Sequence, residues 1–190
     1  SDLVSAIAPH LGEAPETIDS RDWILQKSRV DMFAGRFEQA EQKILEWLEQ
    51  GEVLTGEEVD RVLQPVFDLQ AIHQNDIALT LFERINAQTN SKRHKREILF
   101  WKAQSYDDMG ERITAAQHYL RSAMVEADGF DQWGLSARYH AASTLMEAGE
   151  YYDARQLFET LMSVASDASR RATIKQALQR LWLLENSLGG

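Results

Sequence analysis

The 190-residue chain contains no cysteine. Neither a disulfide nor a thiolate-held metal can form, and the absence fits a reducing or an oxidising compartment equally. Prolines number three and glycines ten, too few for a loop-rich fold. Val, Ile and Thr never fall into the alternating runs that half-buried strands need. With nothing to build a sheet from, the chain is expected to be all-α. It also lacks an unbroken apolar run of about 18 residues, so no transmembrane segment is expected. Positive charge is short as well: 20 Lys and Arg stand against 30 Asp and Glu, a formal net charge of -10. Such a surface repels a phosphate backbone, and nucleic acid is not an expected partner.

What is present argues for a folded protein. Hydrophobic residues make up 44% and charged residues 26%, outside the range of disordered segments. The length suits a single domain over 1–190. The chain opens on Ser1 and closes on Gly189-Gly190, which reads as a processed chain or an excised piece.

A repeat runs through the sequence. The segments RVDMFAGRFEQAEQKIL, FDLQAIHQNDIALTLF, SYDDMGERITAAQHYL and STLMEAGEYYDARQLF each join two helical stripes by a short turn. The turn positions are Gly35, His73, Gly110 and Gly149, with spacings of 38, 37 and 39 residues, and alanine stands five residues beyond each. A recurring period of this kind marks a stacked repeat architecture. Ser20, Thr55, Ser91 and Asp131 occupy the cap positions of the first helices, and Thr55 with Glu58 predicts a capping box. Helix pairs are predicted at 20–34 and 36–50, 56–73 and 75–87, 92–109 and 111–126, and 132–148 and 150–164. A terminal capping helix is predicted over 168–184, with Ile174, Leu178, Leu181 and Trp182 on its apolar face. Before residue 20, a brief helix interrupted by Pro9 and Pro15 is expected to pack on the first repeat.

The third unit resembles a tetratricopeptide repeat, with Ala103, Tyr106, Gly110, Ala115 and Tyr119 at the spacing of that pattern. In the fourth unit Ala142, Leu145, Gly149, Ala154 and Phe158 fall in the same places. In the first, Ser28, Gly35, Phe37, Ala40 and Ile44 do so less completely. The second departs most: His73 replaces the turn glycine, Val66 a small residue, and Pro65 lies inside the helix, where a kink is expected. Repeats of that family run about 34 residues, and these are longer. The resemblance covers roughly residues 20–165 and implies a right-handed α-α superhelix of about four helix pairs plus the capping helix.

Residues that could carry chemistry are scattered. His10, His73, His94, His118 and His140 form neither an HExxH motif nor an i, i+4 pair. Asp107 and Asp108 are neighbours, about 100° apart on a helix, and cannot act as a proton-sharing pair unaided. Neither a phosphate-cradling glycine loop nor a GxSxG elbow occurs. No enzymatic activity, cofactor or metal is expected. The tryptophans Trp23, Trp47, Trp101, Trp133 and Trp182 sit in apolar stripes and are read mainly as core. The run from Ser91 to Arg96 is a possible anion contact through Lys92, Arg93, Lys95 and Arg96, because cations at a helix start oppose the macrodipole.

In the family resembled, the first helices line a concave groove. That register directs Leu25, Arg29, Met32, Leu63, Phe67, Gln70, Phe100, Trp101, Gln104, Asp108, Tyr139, His140 and Ser143 inward. Apolar anchors mixed with hydrogen-bonding groups suit a helix or an extended peptide. The set has neither lysine nor asparagine, unlike the family members that clamp a terminal carboxylate. The expected function is a protein-protein interaction scaffold in a larger bacterial assembly, its partner another protein or peptide, with self-association a further option. A regulatory domain sensing a peptide or small ligand in a closed pocket is the alternative. Periplasm or cell envelope and cytoplasm both remain open, with a slight preference for the periplasm.

Overall fold

The computed structural model describes residues 20–126 and 132–187. The brief helix expected before residue 20 and the cap expected at Asp131 lie outside them. The described residues form nine α-helices and no strand: α1 Ser20–Phe33, α2 Phe37–Glu49, α3 Gly56–Ala71, α4 Asn75–Gln88, α5 Lys92–Asp108, α6 Arg112–Met124, α7 Gln132–Glu147, α8 Tyr151–Val164 and α9 Ala168–Ser187. Each expected helix has its counterpart within a few residues. The chain divides into two compact units between His94 and Lys95.

The four turns share one geometry. Gly35, His73, Gly110 and Gly149 all have positive φ, at 73°, 61°, 81° and 87°. In each turn two hydrogen bonds close a Schellman motif, which satisfies carbonyls that the helix end leaves open. Gly35 N–H donates to the Met32 carbonyl at 3.0 Å and Arg36 N–H to that of Asp31 at 2.9 Å. The same pairs recur from His73 to Gln70 and Gln74 to Leu69, from Gly110 to Asp107 and Glu111 to Tyr106, and from Gly149 to Met146 and Glu150 to Leu145. The second helix starts at once, its first bond running from Ala40, Ala78, Ala115 or Ala154 back to the residue after the turn. These alanines are fully buried, as are Ser28, Val66, Ala103 and Ala142 seven residues before the turn and Ile44, Phe82, Tyr119 and Phe158 nine after it. Small side chains let the paired helices approach, and the large ones fill the space between them.

Helix starts follow local chemistry. The Thr55 hydroxyl accepts from Glu58 N–H at 3.3 Å and the Glu58 carboxylate accepts from Thr55 N–H at 2.8 Å, completing the predicted capping box. Ser91 Oγ accepts from His94 N–H at 3.4 Å ahead of α5, whereas Ser20 is already the first residue of α1. Helix α3 continues through Pro65, whose ring is buried, although proline supplies no N–H to the ladder.

In the first unit α1 pairs with α2 and α3 with α4, and the two hairpins stack with α1 beside α3 and α2 beside α4. Trp47, Leu48, Leu63, Leu69, Leu81 and Ile85 are fully buried there; a side chain of this size contributes about 1.5–3 kcal/mol. Gln88 Nε2 donates to the carbonyls of Leu48 and Gly51 at 3.1 and 3.0 Å, holding the end of α2 to α4. In the second unit α6 packs on α7, α7 on α8 and α8 on α9. Two apolar clusters fill it, one around Phe100, Ala103, Tyr119 and Ala141, the other around Ala142, Phe158, Leu161, Ile174 and Leu181.

The tryptophans divide unevenly. Trp47 is fully buried, but Trp133 and Trp182 are 55% and 56% exposed. For Trp182 the cause is angular: α9 buries Ile174, Ala177 and Leu181, spaced i, i+3 and i+7, and one further residue turns the side chain about 100° out of that arc.

Candidate functional site

The candidate residues lie on the first helix of each hairpin. In the first unit they form two stripes at i, i+4 and i+7, Leu25, Arg29 and Met32 on α1 and Leu63, Phe67 and Gln70 on α3. Leu25, Met32, Leu63 and Gln70 are buried and pack the hairpins, which leaves Arg29 and Phe67 as half-exposed groups. The Arg29 guanidinium donates to Asp68 Oδ2 at 2.9 Å, bridging α1 and α3. Phe67 tilts against Phe82, with centroids 6.0 Å apart. Beside this ion pair is a pocket of about 350 Å³ lined by Arg29, Met32, Phe33, Phe37, Asp68 and Ile72. Phe33 is 74% exposed. Phe33 and Asp68 escaped the sequence reading because they lie one residue off the chosen stripes, and Ile72 because it lies two residues beyond Gln70.

In the second unit the structure gathers aromatics around Phe100, whose ring is buried. Its centroid lies 5.7 Å from that of Trp101, 5.1 Å from Tyr119, 6.1 Å from Trp133 and 5.3 Å from His140. His140 stacks on Tyr119 at 5.3 Å and 25°, and Tyr139 meets Phe158 edge-on at 5.7 Å. Trp101, Gln104, Tyr139, His140 and Ser143 are half-exposed and Asp108 is exposed. The Tyr119 hydroxyl donates to Gln104 Oε1 at 3.3 Å, and Gln104 Nε2 donates to Asp108 Oδ1 at 3.1 Å. Trp133 was not placed on this face by the sequence, because its register relative to Phe100 depends on how α5 and α7 meet.

Burial and charge set the protonation states here. Burial lowers the pKa of His140, and the nearby Asp107 carboxylate opposes this in part, so the imidazole is neutral at pH 7. Burial, then Glu147 and Asp108, raise the pKa of Asp107, with Arg112 acting against them. Burial also raises the pKa of Tyr119, reinforced by Asp107 and Asp108, so its hydroxyl remains a donor. The surface offers aromatic faces, neutral hydrogen-bonding groups and carboxylates at the helix ends. Among the described residues no group of three or more His, Asp or Glu is placed to hold a metal ion, and no helix is long and apolar enough to cross a membrane.

The basic run at the start of α5 is divided between buried and exposed residues. Arg93 lies 3.5 Å from Asp60, and the buried His94 places Nε2 3.0 Å from the same carboxylate. Arg96 is buried too, and its guanidinium donates to the Val125 carbonyl at the end of α6, where a cation is favoured by the macrodipole. Lys92 is exposed and Lys95 half-exposed.

A second pocket, of about 230 Å³, lies among α7, the end of α8 and the start of α9. Tyr139 lines it together with Leu135, Ser136, Leu161, Thr173 and Ile174.

Comparison with protein-family models, with curated proteins and with solved structures finds no match to this chain.

Proposed function

We propose that the chain is a right-handed superhelix of tetratricopeptide type, and that it is a protein-protein interaction scaffold holding a partner protein or peptide along the faces of its first helices. Its setting in this reading is a larger bacterial assembly. The observation that carries the reading is the identity of the four turns. Four hairpins built on the same Schellman motif, with the same three positions buried before and after it, present equivalent faces on their first helices. Those faces hold the residues that vary from unit to unit. Half-exposed Phe67, Trp101, Gln104, Tyr139 and His140 supply anchors and hydrogen-bonding groups of the kind that dominate peptide interfaces.

The second reading, a sensor of a small ligand, is favoured by the two pockets. The larger, at about 350 Å³, lies within the range of drug-sized sites, roughly 300–1,000 Å³, and the smaller, at about 230 Å³, lies below it. An affinity capture from the source organism's lysate separates the two, comparing the parent with a Phe67→Ala, Trp101→Ala, Tyr139→Ala variant shown by circular dichroism to remain helical. The scaffold reading expects a protein retained by the parent and lost by the variant. Equal retention by both, or none by either, turns the assignment toward the sensor.

A further inference from the structure

The second unit repeats one arrangement of side chains on its first helices. At nine, six and two residues before the turns at Gly110 and Gly149, α5 carries Trp101, Gln104 and Asp108, and α7 carries His140, Ser143 and Glu147. Spaced i, i+3 and i+7, each trio shares one helix face. Each runs from a half-exposed ring through a hydrogen-bonding group to an exposed carboxylate. Phe100 joins the two, edge-on to both Trp101 and His140. The first unit does not repeat the pattern: the same offsets hold Gln26, Arg29 and Phe33 on α1 and Gln64, Phe67 and Ala71 on α3.

The carboxylates stand where the helices disfavour them. Asp107 and Asp108 are the last two residues of α5 and Glu147 is the last of α7, at helix ends that are themselves negative. In the last turn of α1 the comparable carboxylate, Asp31, is offset by both Arg36 and Lys43. Among the described residues Asp107 and Asp108 make no such ion pair, and Glu147 meets Arg112 at 3.7 Å. Asp108 instead accepts from Gln104, and Asp107 is held above the ordinary carboxylate range by burial, Glu147 and Asp108. Three carboxylates against one guanidinium leave this end of the face negative, and helix stability does not account for their position.

Seven residues of helix span about 10 Å, so a peptide with an apolar side chain on the rings reaches the carboxylates with the head of a neighbouring basic one. Aromatic faces also attract a cation directly, and His140, kept neutral by burial, does not repel one. We infer that this face of α5 and α7 receives a basic segment of the bound peptide, with a large apolar side chain on Trp101 and His140 and a lysine or arginine at Asp107, Asp108 and Glu147. This rests on the peptide-holding reading and names the partner's charge where it meets the second unit.

The test uses the full chain, labelled with ¹⁵N, and three capped tripeptides: Leu-Arg-Leu, Leu-Gln-Leu and Leu-Glu-Leu. Leu-Arg-Leu should shift the amides of Gln104, Asp108 and His140 and the Trp101 indole saturably. Leu-Gln-Leu should bind the same residues at least about fivefold more weakly, and Leu-Glu-Leu more weakly still. Raising NaCl from about 0.05 to about 0.5 M should weaken the Arg peptide several-fold and leave the Gln peptide unchanged. The double variant Asp107→Asn, Asp108→Asn should bring the Arg and Gln peptides to within about twofold of each other. It removes charge from a helix end that disfavours it and keeps an oxygen for Gln104, so it should fold. A control with the same change in charge, Asp153→Asn, Glu159→Gln at exposed positions of α8, should keep the Arg preference. Equal binding of the Arg and Gln peptides by the parent, or an equal loss of preference in the α8 control, overturns the inference while leaving the peptide-holding face standing. Shifts at none of these residues with any peptide overturn it as well. Saturable, Arg-selective binding here, together with undiminished partner capture by the Phe67→Ala, Trp101→Ala, Tyr139→Ala variant, would uphold the site and sink the broader reading instead.

Discussion

His140 illustrates how much a single buried ring contributes. It is sandwiched by aromatics, stacked on Tyr119 and edge-on to Phe100, and burial holds its pKa below the ordinary 6.5 despite the opposing charge of Asp107. Below pH 6.5 the unfolded chain takes up a proton that the folded one refuses. The stability this ring lends is therefore complete above pH 6.5 and is lost as pH falls from there through the lowered native value. Asp107 acts in the opposite sense. Its pKa is raised above 3.8, so it favours the folded state at low pH and that contribution is lost as pH rises through its native value. Thermal melts of the parent and of His140→Phe, which keeps an aromatic ring, should diverge below pH 6.5, with the parent falling more steeply. Parallel curves would show that burial does not perturb His140. The ring was legible in the sequence as an inward-facing residue, but its partners were not, because Tyr119 and Phe100 reach it from other helices.

At the scale of the elements, the turns are the most informative feature. A Cβ added at Gly110 would meet nothing within 4 Å, so Gly110→Ala tests conformation without a steric clash. At φ 81° it should cost about 1 kcal/mol. His73 is the reverse case, a side-chain-bearing residue held at φ 61°, and His73→Gly should stabilise by a similar amount, about 1 kcal/mol. Urea denaturation of both variants checks the pair; a neutral or opposite effect at both sites would mean that the turns do not constrain the hairpins. These four positions were legible because glycine, or its substitute at the same spacing, recurs with alanine five residues on. The depth of each stripe residue was not legible. Leu63 and Phe67 are one turn apart on α3, yet the first is buried and the second half-exposed, because what lies over each is decided by neighbouring helices distant in sequence. The α9 pocket was hidden for the same reason, as it needs Leu135 of α7 and Ile174 of α9 together.

For the whole molecule, the proposed function makes the first helices the working faces and the second helices the support. Second-helix positions close to the turn are spent on packing: Ala40, Ala78, Ala115 and Ala154 are buried to the last atom, which leaves them nothing to offer a partner. The variable aromatic and polar residues stand on the first helices. In the proposed reading, an acidic chain with mixed aromatic faces takes a peptide or protein partner rather than a polyanion. The most direct measurement is site-specific photo-cross-linking in lysate, with a benzophenone amino acid placed in turn at Phe67, Trp101 and Tyr139 on first helices, and at the exposed Gln42, Arg84 and Tyr152 on second helices. One common cross-linked partner is expected from the first three positions and none from the others. Cross-links to that partner from the second-helix positions alone would contradict the proposed function.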